Sequence, residues 1–82
     1  MRAITLYTRP GCHLCDEARE AILGLREEVP PFELSEVNIE RDDGLLARYL
    51  ERIPVVAVDG EVVSELELEL DSLRAVLDTV SR

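Results

Sequence analysis

Tyr7-Thr8-Arg9-Pro10-Gly11-Cys12-His13-Leu14-Cys15-Asp16-Glu17-Ala18 holds both cysteines of the chain, in a C-x-x-C spacing. The apolar run Ala3 to Thr8 leads into it and a helical pattern leads out, with Pro10 and Gly11 breaking the backbone between them. The cysteine pair therefore sits where a strand turns into a helix, with Cys12 at or just before the first helical turn. The first N–H groups of a helix lack partners within it, and the helix dipole is positive there. A Cys12 thiolate is stabilised at that end, and its pKa should fall below the ordinary ~8.5. Cys15 lies one turn on along the same face. Because Cys12 is outside the regular helix, its sulfur can approach that of Cys15 to bonding distance. A nucleophilic thiol within reach of a resolving thiol is the minimum equipment for thiol–disulfide exchange.

Working outward, residues 2–8 read as the first strand, with Ile4 and Leu6 on one face and Thr5 and Tyr7 on the other. Few charges interrupt it, which suits a strand covered on both faces. Residues 12–28 read as the first helix, on the helical spacing of Ala18, Ala21, Ile22, Leu25 and Val29. Asp16 and Glu17 favour its first turn, and Pro30-Pro31 end it. Residues 34–39 are a weaker strand, with Val37 and Ile39 on one face. Asp42 or Asp43 caps a short helix whose apolar face is Leu45, Leu46, Tyr49 and Leu50. Arg52-Ile53-Pro54 then precedes the run Val55-Val56-Ala57-Val58, Asp59-Gly60 signals a hairpin turn, and Val62 and Val63 continue as the returning strand. Glu65 to Leu70 alternates Glu with Leu, so 66–70 is predicted as an extended approach. Leu70, Leu73, Val76, Leu77 and Val80 place the last helix from about Asp71, with Asp71 as its cap. The first two strands, joined through a helix, should be parallel, and the last two an antiparallel hairpin.

The 82 residues read as one domain, 1–82, of globular composition, and a chain this short buries only a little over ~60% of its unfolded surface. Eighteen acidic residues against nine basic ones give a net charge of −9, and all nine basic residues are Arg. Such a surface repels phosphate backbones and anionic membranes, so neither nucleic acid nor membrane is an expected partner. The N-terminus offers a short strand and no apolar segment long enough for a signal peptide or membrane span. A cytoplasmic location is expected, where two cysteines are more often catalytic or metal-binding than a structural staple. A monomer is expected.

C-x-x-C after the first strand, Ile53-Pro54-Val55-Val56 at the third, Asp59-Gly60 and this element order together resemble the glutaredoxin-like, minimal form of the thioredoxin fold. The resemblance covers nearly the whole chain. It implies an α/β domain with a four-stranded mixed sheet and three helices in the order βαβαββα. It further implies that Cys12 is the attacking cysteine, Cys15 the resolving one, and Pro54 a cis-proline facing the disulfide. Ile53 then matches a residue whose backbone pairs with a bound peptide or glutathione, and Arg9 a basic residue that contacts a glutathione carboxylate. A cis peptide at X-Pro costs only ~0.5–1 kcal/mol and would leave the Ile53 backbone groups unused and facing the cysteines. His13, from its position beside the thiolate, would depress the thiol pKa further when protonated, while Asp16 and Glu17 oppose it. Two stretches depart from the glutaredoxin pattern. His13-Leu14 stands where Pro-Tyr or Pro-Phe is usual, and Ser64-Glu65-Leu66-Glu67-Leu68 stands where a Gly-Gly pair and an Asp grip the glutathione amino group.

The expected function is that of a thiol–disulfide oxidoreductase, acting through a mixed disulfide at Cys12 that Cys15 resolves. Expected substrates are protein disulfides or glutathione mixed disulfides, with a thioredoxin-reductase-type donor or glutathione returning the electrons. No cofactor is required, and glutathione is an optional co-substrate handled poorly for want of the Gly-Gly-Asp site. The alternative is a thioredoxin-fold binding module that carries zinc or an iron–sulfur cluster, or docks partners without redox turnover. A structural zinc needs four ligands, and the chain offers two Cys and one His. A monomer is therefore expected to hold no metal, and a cluster or zinc would be shared between two copies.

Overall fold

The alternation along β1 (Arg2–Thr8) sets the layers of the molecule. Ile4 and Leu6 are buried in one hydrophobic core, while Tyr7 packs into a second core behind the sheet. The computed structural model describes residues 2–78. Within them β1 is the inner strand between β2 (Phe32–Asn38) and β3 (Val55–Val58), and β4 (Glu61–Ser64) completes the order β2-β1-β3-β4. β1 and β2 are parallel, β1 and β3 antiparallel, and β3 and β4 form the antiparallel hairpin. Three helices cover this mixed sheet: α1 (His13–Gly24), α2 (Asp43–Tyr49) and α3 (Leu70–Asp78). This is the minimal thioredoxin fold expected from the sequence.

All four residues of β3 are buried because helices cover both of its faces. Val56 and Val58 meet Ala18 and Ile22 of α1 and Leu73 and Leu77 of α3 in the larger core. Val55 meets Ile39 and Tyr49 on the other face, with Leu45, Leu46 and Ile53 packed around them. The Tyr7 and Tyr49 rings lie 4.8 Å apart, tilted by 37°. Each fully buried Ile or Leu here contributes ~1.5–3 kcal/mol relative to exposure. The hairpin turns on Asp59 and Gly60, both at positive φ (52° and 90°), as a two-residue turn matched to strand twist requires. A register shift between Val56 and Ala57 leaves one extra residue, Val63, on β4.

Several boundaries differ from the sequence expectation. α1 stops at Gly24 rather than residue 28, and Leu25–Glu27 form a 3-10 turn. The Leu25 N–H donates to the Ile22 carbonyl, a tighter closure than the helical one, and this turn buries Leu25. β2 begins two residues earlier, at Phe32, whose ring is buried and which pairs with Arg2. It ends at Asn38, because the Asn38 side chain accepts the Glu40 N–H at 2.9 Å and turns the chain. Asp42, not Asp43, caps α2, with Oδ1 accepting from Gly44 at 2.8 Å and Leu45 at 3.1 Å. Leu50 is exposed, since α2 closes at Tyr49 before Leu50 can turn inward.

The segment 66–70 is not an extended approach. Leu66 has φ +67°, a left-handed conformation, and Leu70 is already helical. Asp71 is not the cap either. The first bond of α3 runs from the Leu73 N–H to the Glu69 carbonyl, and Asp71 pairs with Arg74 at 3.2 Å inside the first turn. Val80 lies outside the described residues.

Candidate redox site

Gly11 prepares the turn into α1 by taking φ +81°, which a residue with a Cβ adopts only at a cost. The Cys12 N–H then donates to the Arg9 carbonyl at 3.3 Å, and Cys12 becomes the N-cap residue of α1 in an extended conformation. Its Sγ accepts the Cys15 N–H at 3.2 Å, so a cysteine sulfur takes the place of the usual Ser or Asp oxygen. The two cysteines are joined by a disulfide with Cα atoms 5.2 Å apart. Cys15 is 2% exposed and faces the core with Ala18 and Ile22, whereas Cys12 is half-buried. A partner approaching from solvent therefore meets Cys12 first.

The Ile53–Pro54 peptide is cis, and Pro54 is buried. Pro54 lines a groove of about 240 Å³ together with Leu14 and Glu17 of α1 and with Leu66, Glu67 and Leu68 of the β4–α3 connection. Ile53 is half-buried against the second core, and its N–H donates to the Tyr49 carbonyl at 3.1 Å. The expectation that both Ile53 backbone groups are unused is therefore corrected. α2 takes the N–H because it ends directly before this loop.

The charged candidates have acquired partners. Arg9 Nη2 is 2.9 Å from Glu40 Oε2, with both side chains about 40% exposed. His13 Nε2 is 2.8 Å from Glu17 Oε2, one helical turn on, and both are well exposed. Exposed pairs of this kind contribute only ~0–1 kcal/mol. Each candidate thus stands beside a carboxylate that offsets positive charge placed there. Among the described residues no three His, Cys, Asp or Glu side chains cluster closely enough to hold a metal ion.

A family model described as a glutaredoxin-like domain (DUF836) matches residues 3–78. The chain belongs to this glutaredoxin-like family. It is 30% identical over 84 residues to a glutaredoxin-like protein of Dictyostelium discoideum, covering 96% of this chain and 78% of that protein. A solution structure of a protein from Nitrosomonas europaea superposes with a TM-score of 0.82 at 31% identity, covering 93% of this chain and 91% of the other. An X-ray structure from X. campestris superposes at 0.72 with 36% identity, covering 93% and 96%. A thioredoxin from Halobacterium salinarum, 16% identical with a TM-score of 0.68, is alike in fold. On this glutaredoxin-like fold, a C-x-x-C pair at disulfide distance supports a redox role. No helix among the described residues is long and apolar enough to cross a membrane.

Two structural features around the candidate site of this glutaredoxin-like chain were not legible in its sequence. Glu40 becomes the partner of Arg9 only through the β1–β2 register, which pairs Thr8 with Asn38 and so sets the residues just beyond both strands side by side. Leu66 turns left-handed where the Glu-Leu alternation suggests a strand. Its N–H donates to the Arg52 carbonyl at 2.7 Å, and Arg52 Nη1 reaches Glu65 Oε1 at 3.1 Å. These two bonds fasten the β4–α3 connection to the loop that carries Pro54. A bulky residue in that conformation costs of order 1–3 kcal/mol, and such strain gathers at functional sites.

Proposed function

We infer that this protein is a dithiol oxidoreductase that reduces disulfides in protein substrates. The observation that carries this is the position of Cys12: half-buried at the start of α1, with its sulfur receiving the Cys15 N–H, above a core-facing Cys15. In the reduced protein, that N–H and the positive end of the helix favour the Cys12 thiolate. The thiolate attacks one sulfur of a substrate disulfide, forms a Cys12–substrate mixed disulfide and releases the other substrate sulfur as a thiolate, which takes up a proton. Cys15 then loses its proton and attacks Cys12 Sγ, displacing the second substrate thiolate and leaving the Cys12–Cys15 disulfide. Two electrons pass from the dithiol to the substrate. A dithiol donor of the thioredoxin-reductase type, or two glutathione thiols, returns them.

Arg9 and the Ile53 carbonyl are assigned to substrate binding, with Pro54 as the floor beneath the substrate sulfur and His13 as a modulator of the Cys12 charge. Glutathione is the poorer partner, because Glu40 already occupies Arg9. Reduction of insulin by wild type and by Cys12→Ser tests the chemistry, and trapping of mixed disulfides in cells with Cys15→Ser identifies the substrates. Insulin reduction that persists in Cys12→Ser refutes the assignment. Metal analysis of protein purified from cells separates this function from a zinc or iron–sulfur carrier.

A further inference from the structure

The groove over Pro54, which Leu14 of the C-x-x-C segment lines, has a composition of its own. Leu14 lies between the two cysteines in sequence and is 54% exposed, and Leu66 is likewise 54% exposed. What sets these two apart from Leu50 and Val62, which are also exposed, is that they share one hollow, and contiguous apolar surface rimmed by polar residues marks a contact region. Both leucines line the same hollow, over Pro54 and Leu68, and Glu17 and Glu67 stand on its wall. The volume, about 240 Å³, is below the ~300–1,000 Å³ of small-molecule pockets and suits one substrate side chain. The Glu67 carboxylate has no ion-pair partner among the described residues, and Glu17 meets only His13.

Leu66 is also the strained residue. A left-handed turn is easily made by Gly, yet here a leucine holds it, pinned to the Arg52 carbonyl directly before the proline loop. A glycine at 66 would make the same turn and leave the groove without its outer apolar wall.

We propose that Leu14 and Leu66 form an apolar clamp that selects protein disulfides whose cysteine is flanked by an apolar and a basic residue, the basic one being met by Glu67 and Glu17. The inference rests on the dithiol chemistry proposed above and names its substrate class. An apolar side chain entering the hollow removes its own surface and that of both leucines from water. An arginine or lysine beside it satisfies the free carboxylate, and the net charge of −9 draws basic segments in at long range. The same features disfavour glutathione, which has no apolar side chain for the clamp and carries two carboxylates.

The test is the second-order rate at which the reduced protein reduces symmetrical disulfides of short single-cysteine peptides, by acid quench and chromatography. Three peptides carry Leu and Arg, Ser and Arg, or Leu and Glu beside the cysteine, each in both orders. The Leu/Arg peptide is expected to react about tenfold faster than Ser/Arg and about threefold faster than Leu/Glu. Leu66→Gly, which suits the left-handed backbone, and Leu14→Ser should each erode the first ratio by slowing the Leu/Arg peptide more than the Ser/Arg peptide. Glu67→Gln should erode the second ratio and its dependence on salt. Equal rates for the three peptides, with Cys12-dependent reduction intact, overturn the clamp and leave the dithiol chemistry standing. Faster reduction of glutathione disulfide than of the Leu/Arg peptide also overturns it. Failure to reduce any disulfide, insulin included, removes the dithiol function and the clamp with it.

Discussion

Reduced Cys12 is expected to alkylate faster than an unstructured cysteine at mildly acidic pH, and Cys15 more slowly. An N–H donating to a charged acceptor contributes about 1.5–3 kcal/mol, and a helix end about 0.3–1 kcal/mol. The Cys15 N–H lies 3.2 Å from Cys12 Sγ, and sulfur is a weak acceptor, so the low end applies to the first contribution. Together they favour the thiolate by about 2 kcal/mol. Well below the thiol titration this makes the thiolate about thirtyfold more populated than in a peptide. A stabilised thiolate is a weaker nucleophile, and a Brønsted slope of about 0.4–0.5 returns a factor of about five. The net expectation is an alkylation rate about sixfold above that of a matched peptide. Cys15, 2% exposed, should react more slowly than the peptide at every pH. The assay is iodoacetamide alkylation against pH in Cys15→Ser and Cys12→Ser, with urea-unfolded protein as a control that should abolish the difference. Cys15→Ser keeps the backbone N–H, so the donor to Cys12 survives in the variant used. A Cys12 rate equal to that of the peptide, or equal profiles for both variants, would refute the reasoning.

Glu40→Gln should release Arg9 and raise reduction of a glutathione mixed disulfide by up to about fivefold, since an exposed pair is worth at most ~1 kcal/mol. The gain should vanish when Arg9→Ala is added, and steady-state kinetics of the three variants decide it. Leu73→Ala should destabilise the fold by about 2–5 kcal/mol in urea unfolding, because Leu73 is 0% exposed in the core under α3. A loss well below that range would mean that α3 contributes little to the core. Asp59 is held below the ordinary carboxylate value of 3.8, first by the Ala3 N–H and then by the Arg2 guanidinium. A lowered value means that its contribution is full above the ordinary one and is lost as pH falls through the lowered one. The melting-temperature difference between wild type and Asp59→Asn should therefore be flat near neutrality and shrink below about pH 3.8; a difference that grows on acidification would contradict it.

Features written in neighbouring residues were legible in the sequence. The Asp59-Gly60 turn and the strand-to-helix placement of the cysteines each need only a few consecutive side chains, and the sequence narrows the cap of α2 to Asp42 or Asp43. The alternation in β1 and the spacing in α1 likewise gave the faces their correct direction. Part of what stayed hidden depends on contacts distant in the chain. Glu40 meets Arg9 because of strand register. The bond from the Ile53 N–H to Tyr49 is local, and it stayed hidden because no side chain marks where α2 closes against the proline loop. Leu66 misled for a different reason. A two-residue period describes side chains on a straight strand, and three Glu-Leu repeats satisfy it even where hydrogen bonds to Arg52 bend the chain. The early start of α3 follows from the same bend, which brings Glu69 to the helix entry and leaves Asp71 to pair with Arg74.

The extra residue at Val63 has a consequence for how the molecule behaves among copies of itself. β4 is an edge strand, open on one side to pairing with another chain. Next to it runs Val55-Val56-Ala57-Val58, an uncharged, β-branched segment of the kind that stacks into fibrils when exposed. β4 is only four residues long, and the bulge at Val63 within it bends the strand and spoils its fit as a template. At the opposite edge, β2 carries Glu33 and Glu36 on exposed positions, which repel a like strand. Pro54 and the Asp59-Gly60 turn close off the valine run at both ends, so that even an unfolding chain offers a short sticky stretch between two breakers.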